Sequence, residues 1–155
     1  MFEPPFRWNL TNHSHLGRLI NGEKAEVYGN FSDQLLHCCS RILALAGDSD
    51  LTFVGRSPES IFDHLSGLLF QTSWFERLEL LQFSLRYYDR PSIRSQYPTA
   101  VAAMRSYLHQ LNLHPQGLIQ RPRPVAFIDL VATGDTFHSL IMILQDWSCN
   151  CLVDL

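Results

Sequence analysis

The residues best suited to chemistry lie near the end of the chain. Asp129 closes an apolar run there and is followed by Leu130-Val131-Ala132-Thr133-Gly134-Asp135-Thr136. Amides of a loop that opens a helix attract a phosphate, and the helix dipole adds to that pull. The hydroxyls of Thr133 and Thr136 supply further donors, and Gly134 lets the backbone come close to a ligand or take a positive φ. An ionised carboxylate only accepts hydrogen bonds, so Asp129 suits the hydroxyls of a sugar such as ribose. A second loop, Gly55-Arg56-Ser57-Pro58-Glu59-Ser60, offers Arg56 and the amides of Ser57 and Ser60 to an anion at another helix start. A plainer reading stands beside both: an aspartate that caps the amides next to it, and a surface turn with an acid in the first turn of a helix.

Other chemistries find less support. Ser57 sits in Gly-Arg-Ser-Pro-Glu and lacks the second glycine of a nucleophile elbow. The glycine-rich dinucleotide fingerprint and the phosphate-loop lysine are both missing. The cysteines form two close pairs, Cys38-Cys39 and Cys149-Asn150-Cys151, which match neither a disulfide framework nor zinc-ligand spacing, so reduced thiols and no structural metal are expected. The seven histidines, His13, His15 and His138 among them, show no ligand or triad spacing and read as surface or interface residues.

The elements that must hold these loops follow from hydrophobic spacing. Residues 1–30 are interrupted by Asn9, Asn12, Gly17, Asn21, Gly22, Gly29 and Asn30 and read as an irregular cap. Leu35, Leu36, Cys39, Ile42, Leu43 and Ala46 then recur at helical spacing between Ser32, a candidate N-cap, and Gly47, a stop. Leu51 to Val54 reads as a buried strand ended by Gly55. A helix follows, capped by Ser57 with Pro58 at its first position. Leu78 to Leu85 reads as a second strand, and Arg86 to Pro98 as a long loop in which Tyr87, Tyr88 and Arg90 can cover a site or stack on a base. Thr99 to Leu113 is helical by spacing, and Pro115, Gly117, Pro122 and Pro124 mark a stiff connection. Val125 to Leu130 has the unbroken apolarity of a central parallel strand covered on both faces. Asp135 or Thr136 caps the helix after it, and Cys151-Leu152-Val153 starts another strand.

Strands alternating with helices imply an α/β fold of Rossmann-like, three-layer type with a mostly parallel central sheet, occupying residues 31–155. In such a sheet ligands bind beyond the carboxyl ends of the strands. A length of 155 residues suits one domain. The net charge of −3 argues against a nucleic-acid partner. Eleven of the twelve basic residues are arginines, which grip phosphate in two places, although codon usage accounts for the bias equally well. The apolar runs are too short to span a membrane, and an acid and two prolines at the N-terminus are unlike a secretion signal. A cytoplasmic protein is expected.

Phe127-Ile128-Asp129-Leu130-Val131-Ala132-Thr133-Gly134-Asp135-Thr136 resembles the diphosphoribose-binding motif of the type I phosphoribosyltransferases: an apolar strand, two acidic residues, and a loop ending Thr-Gly-x-Thr. The resemblance implies that Asp129 is the catalytic-site acid contacting ribose hydroxyls and that Val131 to Thr136 hold the 5′-phosphate. It also implies that Gly55, Arg56, Ser57 and Ser60 stand where that family places its pyrophosphate loop, with Mg2+ bound through the ligand's pyrophosphate. The first acidic position is Ile128 here. Only 19 residues follow Thr136, fewer than that family normally carries, so a C-terminally truncated sheet is expected. Its exposed edge would invite a second copy or a partner protein. The alternative is a non-catalytic α/β module that binds a nucleotide or another protein.

Overall fold

Three short apolar segments of the chain pair in parallel: β1 (Asp50–Val54), β2 (Leu78–Leu81) and β3 (Val125–Ile128). They lie in the order β2-β1-β3. Leu51 faces Leu78 on one side of β1 and Ala126 on the other. The computed structural model that shows this describes residues 29–85, 95–131 and 133–151. The chain divides into two units, Met1–Gln34 and Leu35–Leu155. Of the first, the described part is the turn at Gly29 and Asn30 and the opening of helix α1 (Phe31–Ala46). The cap expected over residues 1–30 otherwise lies outside the described residues.

The second unit has three layers, because side chains alternate along each strand. Leu51 and Phe53 of β1, Leu78 and Leu80 of β2, and Ala126 and Ile128 of β3 pack with α1 and with α2 (Glu59–Leu68). The ring of Phe62 on α2 meets Phe53 edge-on at 5.6 Å. Val54, Leu81, Val125 and Phe127 point to the other face. There they meet α3 (Pro98–Gln110), α4 (Pro115–Gln120) and α5 (Asp135–Cys151) through Val101, Leu108, Leu118, Leu140 and Ile143. This is the expected α/β layout with a parallel sheet and helices on both faces. No helix among the described residues is long and apolar enough to cross a membrane.

Several boundaries differ from the sequence expectation, each for a local reason. β2 stops at Leu81 rather than Leu85, since the Gln82 N–H donates to the Tyr107 hydroxyl at 3.1 Å instead of to a strand. α3 opens at Pro98, one residue before the expected Thr99, as a first-turn proline needs no amide, and it ends at Gln110 rather than Leu113. The stretch after Pro115 is a short helix and not merely a stiff connection, because the His114 ring caps it. Neither serine is a cap: Ser32 lies inside α1, and Pro58 holds the cap position of α2 with no side-chain hydrogen bond. β3 is an edge of the described sheet and only half-buried, where a central strand covered on both faces was expected. Cys151 is helical, so no strand begins there, and residues 152–155 lie outside the described residues. So do residues 86–94, which include Tyr87, Tyr88 and Arg90.

At the amino ends of the strands a charged clamp closes the sheet. Arg121, at the end of α4, lies 3.3 Å from Asp50 of β1 and 3.6 Å from Glu79 of β2. It also donates to the carbonyls of Leu111 (2.9 Å) and Asn112 (3.4 Å) in the α3–α4 turn. Burial pushes the Glu79 carboxyl above the usual range, and Arg121 pulls the other way. Arg77 and Arg123 continue the cluster through Asp48 at 2.9 and 3.4 Å. Arg121→Met takes the ion-pair partner from the partly buried Glu79 and leaves Asp50, among the described residues, only the Arg123 guanidinium at 4.0 Å. It is expected to cost about 2 kcal/mol, less than a fully buried pair because water still reaches these groups. A lower urea midpoint at unchanged slope is the readout, and adding Glu79→Gln should restore part of the loss.

Candidate functional site

The carboxyl ends of β1 and β3 lie side by side. Phe53 is opposite Ile128 in the ladder, so the exits that begin at Val54 and Asp129 start about 5 Å apart, the spacing of paired strands. The exit from β1 leads to α2 on one face of the sheet, and that from β3 leads to α5 on the other. A divergence of this kind opens a crevice at the switch point of an α/β sheet, the place where such folds take up ligands. The two loops singled out in the sequence are therefore neighbours.

The first loop turns on Gly55, whose φ is +78°. Its N–H donates to the Leu81 carbonyl at 2.8 Å. A Cβ on Gly55 would stand 2.9 Å from the Phe83 carbonyl oxygen, so both the backbone angle and the space demand glycine. Beyond it the Glu59 amide donates to the Arg56 carbonyl (3.3 Å), while those of Ile61 and Phe62 donate to Pro58 (3.0 and 2.9 Å). The amides of Ser57 and Ser60 make no backbone bond among the described residues. Arg56, Ser57 and Ser60 are exposed, and no ion pair among the described residues holds the Arg56 guanidinium. Three donor groups at the start of α2 thus stand open to an anion. Glu59 works against this with its negative charge, though the Gln82 amide holds its Oε1 at 2.8 Å.

The second loop is more occupied with itself. The half-buried Asp129 accepts from the Leu130 N–H at 2.7 Å through Oδ1. The Thr133 hydroxyl donates to the Asp135 carboxylate at 2.7 Å. Gly134 has φ +84°, and its carbonyl accepts from the His138 N–H at 2.9 Å, opening α5. A Cβ there would meet nothing nearer than Val131 Cγ1 at 3.9 Å, so the angle alone asks for glycine. Asp135 is the first residue of α5, which puts Thr136 within the opening turn rather than in the loop. Leu130 and Val131 are 75% and 51% exposed. Ala132 lies outside the described residues. A phosphate entering here has to take the Thr133 hydroxyl from Asp135.

Ile128, at the position where the family motif has its first acid, packs in the layer of α1 and α2. One acid, Asp129, is then left at the end of β3, and no group of three or more metal-ligating side chains exists among the described residues. Sequence reading missed the Glu59–Gln82 pair and the Tyr107 hydroxyl on the Gln82 amide. Partners 23 and 25 residues apart leave no local pattern. Compared with protein-family models, with curated proteins and with solved structures, the chain finds no match.

The two glycines offer a test of this geometry. Gly55→Ala, which meets backbone as well as an unfavourable φ, is expected to cost about 3 kcal/mol. Gly134→Ala, which meets only the φ, should cost about 1 kcal/mol. Urea denaturation that ranks them the other way round would contradict the description of the first loop.

Proposed function

We propose that this chain is a phosphoribosyltransferase-like domain that binds a phosphorylated ribose, either ribose 5-phosphate or phosphoribosyl diphosphate. In this reading the amides and hydroxyls of Val131 to Thr136 take the 5′-phosphate, Asp129 accepts from ribose hydroxyls, and Gly55, Arg56, Ser57 and Ser60 face the pyrophosphate. The observation that carries it is the pairing of two left-handed-glycine loops at the β1/β3 switch point, one of them with amides and an arginine that have no partner among the described residues. Mg2+ would enter bound to the pyrophosphate, since Ile128 leaves Asp129 as the one acid at that strand end. If the domain turns over, the reaction is pentosyl transfer in which the protein contributes position and electrostatic stabilisation. A cytoplasmic location goes with such a ligand, in keeping with the reduced thiols of Cys38 and Cys39.

A second reading, a non-catalytic nucleotide-binding or protein-interaction module, draws on the other loop. Asp129 and Thr133 are already satisfied by neighbours, and Leu130 and Val131 present apolar surface.

Calorimetric titration with phosphoribosyl diphosphate and magnesium separates the two. Wild type is expected to bind. Asp129→Asn and Thr133→Val should each weaken binding about tenfold, the worth of one hydrogen bond to a charged group. Asp135→Asn, which removes a competing charge and weakens the hold on the Thr133 hydroxyl, should tighten it about threefold, or roughly 0.7 kcal/mol. No binding by wild type leaves the second reading standing. Binding indifferent to all three variants moves the ligand elsewhere.

A further inference from the structure

Helix α4 is six residues long and begins at a histidine. His114 occupies its N-cap with extended backbone, and its Nδ1 accepts from the Gly117 N–H at 3.2 Å. Only a neutral imidazole has a nitrogen able to accept, so this bond exists in one protonation state. The fit around it is close: a Cβ on Gly117 would stand 2.8 Å from His114 Nε2 and 2.9 Å from the Asn112 carbonyl. The His114 ring stacks on His109, the last basic residue of α3, with centroids 4.5 Å apart and planes 14° apart. It faces Trp147 of α5 at 6.0 Å.

We propose that His114 is a proton-sensitive latch on α4: a proton taken from solvent onto Nδ1 turns the acceptor into a donor, breaks the bond to Gly117 and sets an imidazolium against His109. The inference is independent of any ligand at the strand ends. Six residues close few helical hydrogen bonds of their own, so besides the latch the start of α4 is held by the Leu118 N–H on the His114 carbonyl at 2.9 Å and by Leu118 packed against the core. Its far end is the Arg121 clamp, so a released α4 loosens the hold on Asp50 and Glu79 as well. The charged groups around the latch are few among the described residues. They are His109 on α3, the Arg105–Asp146 pair at 2.8 Å that joins α3 to α5 beside Trp147, and Arg121, which is already paired.

The direction of the pH effect follows from the surroundings. Burial, and then the charge of His109, hold the His114 ring below the usual histidine value. The unfolded chain therefore binds this proton more readily than the folded one. Stability from the latch is complete above about pH 6.5. It is lost as pH falls through the lowered folded value.

Amide exchange of Gly117 in the full chain, followed by NMR from pH 7.5 to 5 and corrected for intrinsic rates, tests the latch. Wild-type protection should fall about tenfold, the worth of one pH unit in a single titration. His114→Asn, whose amide oxygen caps without titrating, should hold its protection across the range. His109→Gln should move the wild-type midpoint to higher pH. An equal loss of protection in wild type and His114→Asn, or no loss in wild type, overturns the latch; an unmoved midpoint in His109→Gln overturns the part given to the stacked pair.

Discussion

β1 has a ladder on each side and a layer of helices on each face, and Leu51, Thr52, Phe53 and Val54 are almost wholly removed from water. Buried backbone must be hydrogen-bonded, and in β1 both neighbouring strands supply the partners. The pairing runs one residue past the strand, where the Gly55 amide reaches the Leu81 carbonyl. The close approach of Phe83 to Gly55 follows from that extra bond, and so does the course of the β1–α2 loop. The position of the candidate site is thus a consequence of how the central strand ends.

The two ends of the sheet are built on different principles. At the amino ends, opposite charges are spent on one another: Arg121 with Asp50 and Glu79, Arg77 and Arg123 with Asp48. At the carboxyl ends, Arg56 and the amides of Ser57 and Ser60 have no partner among the described residues, and carboxylates are bonded to Gln82, Leu130 and Thr133. Arginine does both tasks in this chain, and only position decides which.

Much of this was legible in the sequence where the signal was local. The helical stripe from Leu35 to Ala46, the strand before Gly55, and the apolar run into Asp129 each carry their own period or composition. Gly47 ends α1 with φ +57°, as its place after the stripe implied. The loops at the carboxyl ends could be named from small residues and hydroxyls alone. What was illegible depends on pairs distant in sequence. That β3 lies at an edge follows from strand order, which no single segment encodes. The end of β2 depends on Tyr107, and the helicity of Pro115–Gln120 depends on a histidine ring acting as a cap, an uncommon use of that side chain. Pro98 only moves the start of α3 by one residue, since the same ring that breaks a helix interior is at home in its first turn.

Arg121 bonds to residues that arrive in the chain at very different times. It meets Asp50, 71 positions earlier, and it also meets Glu79 and the α3–α4 turn. The bonds to Leu111 and Asn112, 10 and 9 positions away, need only the α3–α4 turn, whereas the ion pairs to Asp50 and Glu79 need β1, β2 and the α4 corner together. An ion pair that exists only in the assembled sheet bears more on how slowly the folded molecule opens than on how fast the chain folds. The clamp is therefore a source of lifetime for the native state, set at the end of the sheet opposite the β1–α2 and β3–α5 loops.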